Sequence, residues 1–423
     1  MHPMHRTPIA IVGGGGMGRR RLTGVAALSR TDFANVELVA VCDINRKNAE
    51  DLADEARQSL GKRPAVFENV DTMARTMPEI EGVDVTTDAG SHHRVGTDCL
   101  RAGLHVMVEK PLAITMRGCN LMVDTARNAG RILSVAENYR RDPINRLARA
   151  LIADGAIGTP TLMTETSIGG GNSLYVTPWR HQKRRGTVAL DAGVHNADIL
   201  MYYLGDVESV YGEGRLFEKR RYKPGVAAPG GFYDKWSVDF PDAVEATGED
   251  ALFGYIRFKS GAVGQLTLHY AGHGLGQSGR HVYGTSGSLA SPGDRNGRPL
   301  RLYLDGGVEV ADERILEYAP SYQLEPLAAQ LFGGDRVWTY EFPFVETDAK
   351  IFALQYWEFA NCIQTGQRPE VDGLVGRRDT AMINALFESG LAKRAVTLDE
   401  VESVTIDAYQ REVDEHAGLL SLA

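Results

Sequence analysis

Gly13, Gly15 and Gly18 complete a G-x-G-x-x-G directly after the apolar run 9–12 and before a helical stretch beginning near Met17. Each glycine answers a steric demand. The first permits a tight turn, the second lets backbone approach a pyrophosphate, and the third lets helix close on strand. The helix N-terminus then faces the phosphates with its unsatisfied N–H groups. Asp43 stands at the end of the next apolar run, where a carboxylate accepts hydrogen bonds from both hydroxyls of an adenosine ribose, so NAD is the expected cofactor. Arg46 and Lys47 lie near enough to meet a 2′-phosphate, which keeps NADP as the lesser alternative. A glycine turn beside a surface aspartate on a flavodoxin-like sheet is the plainer alternative.

The frame for this turn is an alternation of short apolar strands and amphipathic helices: 9–12, a helix to 29, 36–42, a helix over 45–60, then strands at 83–87, 104–108 and 132–136. Each strand is apolar enough to be buried on both faces, which predicts a doubly wound parallel sheet, a Rossmann domain over 1–140 in an α/β protein. After Pro143 the pattern changes. A helix through Leu151 ends at Gly155, and strands such as 161–167 and 251–258 follow. The runs 253–258 and 263–270, joined by Lys259-Ser260-Gly261-Ala262, form a hairpin pattern. Residues 141–423 are therefore expected to form an α+β domain with a largely antiparallel open sheet, serving substrate binding and oligomerisation, with a helical return at the C-terminal end. The stretches 215–248 and 291–299, rich in Gly, Pro and charge, predict long surface loops.

Composition narrows the function classes. The 46 Lys+Arg against 55 Asp+Glu leave a net charge of −9, so the surface repels phosphate backbones, and no long basic tract or zinc-finger spacing points to nucleic acid. Cys42, Cys99, Cys119 and Cys362 are scattered without a CxxC, against a disulfide framework or thiolate metal site and in keeping with a reducing cytoplasm. His93 has no acid or cysteine at ligand spacing, so no metal is expected. Residues 1–8 carry no apolar run and none later approaches a membrane span, which predicts a soluble, unexported protein.

The run 87–111, TDAGSHHRVGTDCLRAGLHVMVEKP, resembles the T-P-x-x-x-H and A-G-x-H-V-x-x-E-K-P of the Gfo/Idh/MocA dehydrogenases, named for glucose-fructose oxidoreductase and inositol dehydrogenase. Its histidine falls on His92 and its lysine on Lys110; Asp88 departs from the family's proline. Trp179-Arg180 and the run 186–198 resemble the family's W-R and G-G-x-x-x-D-x-G-x-H-x-x-D, with Thr187 in place of the second glycine. Tyr139-Arg140-Arg141-Asp142-Pro143, the turn 284–287 and the run 356–398 extend the resemblance over nearly the whole chain, leaving 215–248 and 291–343 as insertions.

The resemblance implies an acid–base set of Lys110, Asp191 and His195 around a sugar hydroxyl. Hydride transfer from a secondary alcohol needs a proton acceptor and a group that stabilises the developing oxyanion. Neutral His195 is assigned as base and Lys110 as the polarising cation, with amine and imidazole converging on one oxygen. Asp191, one helical turn before His195 and on its face, orients substrate or imidazole. The implied cofactor contacts are Gly13, Gly15, Gly16, Met17, Gly18, Asp43, Ile44, Arg46, Thr87, His92, Glu109, Lys110, Asn138, Trp179 and Arg180. The implied substrate contacts are Lys110, Tyr139, Arg140, Trp179, Arg180, Asp191 and His195. Two readings stand for Trp179, stacking on a pyranose or an exposed loop hinge. Two also stand for the basic run 180–185: arginines gripping an anionic sugar, or a solvated loop or subunit contact.

These residues predict an NAD-dependent oxidoreductase acting at a secondary hydroxyl of a sugar or cyclic polyol, an anionic sugar included. The alternative is an NAD-dependent glycoside hydrolase that retains its cofactor and works by transient C3 oxidation, elimination and water addition, for instance on a sulfonated glycoside. A cofactor-binding sensor is the third reading, disfavoured because a sensor has no need of an acid–base set. A one-sided antiparallel sheet leaves an apolar face to cover, so a homodimer or homotetramer is expected.

Overall fold

The computed structural model describes residues 5–224 and 240–422; part of the 215–248 stretch therefore lies outside the described residues. Two compact units are formed. One comprises Met1–Ala113, Arg117–Asn138 and Val345–Arg377, the other Ile114–Met116, Tyr139–Phe344 and Arg378–Ala423. No helix among the described residues is long and apolar enough to cross a membrane.

In the first unit, β1 (Thr7–Val12), α1 (Gly16–Ser29), β2 (Val36–Cys42), α2 (Arg46–Leu60), β3 (Ala65–Phe67), α3 (Val70–Thr76), β4 (Gly82–Val85), α4 (His92–Arg101), β5 (His105–Val108), α5 (Met116–Ala129) and β6 (Leu133–Val135) alternate. The strands pair in parallel as β3-β2-β1-β4-β5-β6. Ile9, Ile11, Val41, Val83 and Val106 are fully buried, as strands covered on both faces require. Order reverses between β1 and β4, and ligands of such sheets bind beyond the strands' C-terminal ends there. The sequence reading lacks β3, whose three residues are too few to show a period.

Residues 345–377, expected in the second domain, pack with the first unit. The reason lies in its helix, Phe344–Thr365. Gln355 Nε2 donates to the Glu137 carbonyl at 2.8 Å, and the buried Tyr356 hydroxyl donates to Asp84. Under α1, Arg21 is fully buried; its Nε donates to Asp84 Oδ2 at 2.8 Å, another nitrogen donates to Gln355, and its guanidinium lies 4.6 Å from the Tyr356 ring centroid.

The second unit is built on α6 (Pro143–Ala153), β7 (Pro160–Gly170), β8 (His181–Gln182), β9 (Gly186–Thr187), α7 (Val188–Leu204), β10 (Val207–Arg215), β11 (Arg220–Tyr222), β12 (Ala243–Glu245), β13 (Ala251–Phe258), β14 (Val263–Gly272), β15 (Gln277–Gly284), β16 (Gly287–Ser291), β17 (Arg301–Leu304), β18 (Val308–Val310) and β19 (Val396–Thr397). A nine-stranded sheet runs β18-β17-β16-β15-β7-β14-β13-β10-β19. It is antiparallel except for the β7–β14 pair. α7 lies on its inner face, where Gly193 meets Leu268 and Gly264 meets Leu200.

Both stretches expected as surface loops are in part packed. Arg221 in β11 is fully buried; it bonds Asp250 Oδ2 at 2.8 Å and the carbonyls of Gly171, Ser173 and Tyr270. In 291–299, Asp294 accepts from Arg280 Nη1 at 2.7 Å and from Asn145 Nδ2 at 2.8 Å. Their partners lie far along the chain, so composition in a local window marks turns but cannot reveal burial.

Candidate active site

Where β1 turns into α1, Gly13 N–H donates to the Cys42 carbonyl at 2.8 Å, and the Thr86 hydroxyl donates to the Gly13 carbonyl at 2.6 Å. Gly13 adopts φ +112°, and a Cβ there would sit 2.9 Å from Thr86 backbone; one on Gly18 would sit 2.0 Å from the Gly13 carbonyl oxygen. Those two glycines are demanded by the chain itself. Gly15 is different, because a Cβ on it meets nothing within 4 Å. The open space there leaves room for a ligand to approach the backbone. Gly15 also caps α1 without a side-chain bond, and the first turn, which includes Gly16, Met17 and Gly18, carries no acid to compete with an anion.

Asp43 is half-buried; Oδ2 accepts from Gly14 N at 2.7 Å and Oδ1 from Asn45 N at 2.7 Å. Each oxygen keeps a second lone pair for a ribose hydroxyl. Ile44 beside it is 91% exposed. Arg46 pairs with Glu50 at 3.1 Å and Glu68 at 3.6 Å, and Lys47 with Asp51 at 2.7 Å.

Beyond β4, Thr87 Oγ1 accepts from the Ser91 hydroxyl at 2.8 Å. Of the threonine pair it is Thr86, absent from the expected set, that braces the glycine turn; the doublet at a strand end was the available signal. His92 is buried, with Nδ1 2.8 Å from the Pro111 carbonyl and Nε2 3.1 Å from that of Thr87. Both ring nitrogens thus face backbone carbonyls, and the single N–H of the neutral ring donates to one of them. Burial holds its pKa below the ordinary imidazole range.

Beyond β5 and β6 stand two buried acceptors, Glu109 Oε1 and Asn138 Oδ1, with no hydrogen-bond partner among the described residues. Burial pushes the Glu109 carboxyl up to about 7 against the pull of Arg21 and Lys110. Lys110 follows, half-buried. A cradle at Gly15 and orphaned acceptors at the strand ends suit a dinucleotide with ribose hydroxyl and carboxamide donors, so the residues present fit NAD.

In the second unit, Thr187 caps α7 by accepting from Leu190 N at 3.0 Å, which gives a local role to the residue replacing the family's glycine. Asp191 and His195 follow on one face, both buried. Arg180 Nε donates to Asp191 Oδ2 at 2.7 Å and Nη1 to Thr177 Oγ1 at 2.7 Å, while its guanidinium lies 4.3 Å from the Trp179 ring centroid. Trp179 is half-buried and stacked against Arg180. The Tyr139 ring stacks on His195 at 4.2 Å with 4° between planes.

Arg140, expected at substrate, pairs with an aspartate of the same helix as His195. It is buried, with Nε donating to Asp198 Oδ2 at 2.9 Å, because Asp198 continues the Asp191/His195 face into the interior. The basic run is likewise engaged by the protein: Lys183 lies 3.6 Å and Arg184 3.1 Å from Glu412 carboxylate oxygens, and Arg180 bonds Asp191.

Comparison with known proteins agrees with this fold. Residues 7–137 match the profile "Oxidoreductase family, NAD-binding Rossmann fold", and residues 145–290 match the "GFO/IDH/MocA C-terminal domain". Levoglucosan dehydrogenase of Pseudarthrobacter phenanthrenivorans is 30% identical over 300 residues, 68% of this chain and 73% of that one. A glycosyl hydrolase family 109 protein of Akkermansia muciniphila is 29% identical over 158 residues, 36% of this chain and 32% of its own. Among solved structures, levoglucosan dehydrogenase in complex with NADH and L-sorbose superposes with a TM-score of 0.71 at 22% identity, covering 94% of this chain and 100% of that one.

Proposed function

Because the chain belongs to the Gfo/Idh/MocA family of NAD-binding oxidoreductases, we propose that it oxidises a secondary hydroxyl of a sugar or cyclic polyol, or reduces the matching ketone. The observation that carries this reading is the pair Asp191 and His195, buried one turn apart on α7 and each fixed by its own partner, Arg180 and Tyr139. His195 takes the hydroxyl proton, Lys110 stabilises the oxygen as it becomes a carbonyl, and Asp191 orients the hydroxyl. Bound NAD supplies the hydride acceptor. Since the basic run is engaged by Glu412 and Asp191, the proposal carries no requirement for an anionic substrate.

NAD is favoured over NADP because Arg46 and Lys47 are already paired with carboxylates, and a 2′-phosphate would meet the charge of Asp43. Incubation with NAD and a panel of levoglucosan, myo-inositol, glucose and nitrophenyl glycosides should generate NADH absorbance. With NADP, kcat/KM should be roughly tenfold lower, the ratio that a like-charge penalty of about 1.4 kcal/mol produces. Asp43→Ala should narrow that gap. Silence across the panel with both cofactors would end the reading. The hydrolase-type relative supports a second one, in which nitrophenol is released without net NADH in the same incubation.

The outer face of the nine-stranded sheet carries Tyr211, Tyr255 and Tyr283, each more than two-fifths exposed, with Tyr211 directly opposite Tyr255. Exposed cross-strand aromatics form a surface suited to a second copy of the chain. A homodimer or homotetramer is expected by light scattering at micromolar concentration, weakened by Tyr211→Lys; a monomer would refute it.

A further inference from the structure

The stack on His195 continues beyond Tyr139. The guanidinium of Arg295 lies 5.1 Å from the Tyr139 ring centroid and 4.9 Å from that of Phe344. Arg295 belongs to the stretch 291–299, past residue 290, where the match to the family's C-terminal profile ends. Its backbone adopts φ +57°, a left-handed conformation that a non-glycine residue keeps only when its surroundings over-determine it.

The surroundings do so. Arg295 N–H donates to Asp142 Oδ2 at 2.5 Å, and Asp142 Oδ1 accepts from Ile144 N and from the Tyr340 hydroxyl, each at 3.1 Å. On one side Asp294 is clamped by Arg280 and Asn145. On the other, the Gly297 carbonyl accepts from Tyr340 N at 3.0 Å and Thr339 Oγ1 at 2.8 Å. Asn145, which clamps Asp294, also donates to the Tyr139 carbonyl at 2.9 Å, so the loop bearing Arg295 is bolted to the turn bearing Tyr139. A merely solvated loop would need none of these buried anchors.

We propose that Tyr139 and Arg295 are positioning residues for His195: the phenol ring sets the plane of the imidazole, and the Arg295 guanidinium holds the phenol ring in turn. This rests on His195 being the base. A base acts only when its lone pair points along the line of proton transfer, and a misplacement of about 1 Å can lower the rate about 100-fold. The stack removes the rotation that would spoil that aim. Tyr139 thereby acts through its ring face, not its hydroxyl, and Arg295 acts without touching substrate.

Two measurements test it. In turnover of the panel sugar that gives the fastest NADH formation, Tyr139→Leu and Arg295→Met should lower kcat by about 10- to 100-fold with little change in the KM for NAD. Tyr139→Phe and Arg295→Lys should restore most of it. In NMR spectra of the whole chain, the imidazole carbon-bound protons of His195, assigned by their loss in His195→Asn, should show an upfield ring-current shift. That shift should persist in Tyr139→Phe, vanish in Tyr139→Leu and weaken in Arg295→Met. Equal losses in Tyr139→Phe and Tyr139→Leu, or an unchanged kcat and spectrum in Arg295→Met, overturn the proposal. If Tyr139→Leu does not fold, Arg295→Met decides alone, since its aspartate anchors remain. A ring-current pattern as expected beside full activity in His195→Asn would instead refute the role of His195 as base and leave the stack standing.

Discussion

His195→Asn is expected to lower kcat by roughly 10²- to 10⁴-fold, the contribution of a positioned acid–base group, with NAD affinity unchanged. The imidazole is buried on α7 and is not among the expected cofactor contacts, so the glycine turn and Asp43 are expected to hold the dinucleotide without it. Asparagine keeps polarity and approximate volume but cannot accept the proton. Lys110→Met should produce a loss of similar order, accompanied by a weaker hold on NAD, because Lys110 follows Glu109 at the strand end where the cofactor is expected. Steady-state kinetics with isothermal titration of NAD separates the two effects. Turnover in His195→Asn within about threefold of the parent would remove the acid–base assignment, since a general base contributes at least about 100-fold.

Arg21→Met should destabilise the first unit by about 3–5 kcal/mol, the loss found when one partner of a buried ion pair is removed. Arg21 and Asp84 are both fully buried, and Gln355 and Tyr356 share the same network, so methionine fills the space of the stem and leaves Asp84 without its cation. The deficit depends on pH with a definite sign. Burial already raises Glu109 to about 7, and losing Arg21 removes one of the cations that pull it down. A carboxyl raised above its unfolded value binds protons more tightly in the folded state, so stability is present at low pH and lost as pH rises through the folded value. The deficit should therefore be smaller at about pH 5 than at about pH 8. Urea unfolding of parent and variant at both pH values measures this, with Arg46→Met, an exposed pair, as the control whose midpoint stays put. An Arg21→Met midpoint matching the parent at about pH 8 would show that the network contributes nothing.

Local chemistry made much of this protein legible in its sequence. The alternation of strand and helix, the glycine turn with Asp43 just past the following strand, and the one-turn spacing of Asp191 and His195 are set by short-range rules: the positive φ of Gly13, the close approach of Gly18 to the Gly13 carbonyl, and the helical period along α7. Even Thr187 is a local matter, since its hydroxyl caps the helix it begins.

Choice of ionic and stacking partners is where the sequence alone fell short. The sequence around Arg140 does not show that Asp198 meets it, the run 180–185 reads equally as an anion site or a solvated loop and does not show its pairing with Glu412 and Asp191, and 291–299 reads as a surface loop and does not show Arg280, Asn145 and Asp142 fastening it. A charged side chain is compatible with water, a ligand or a buried partner, and its type does not say which. Only the folded chain decides, because desolvating a guanidinium is tolerable solely where a carboxylate from a distant segment arrives beside it.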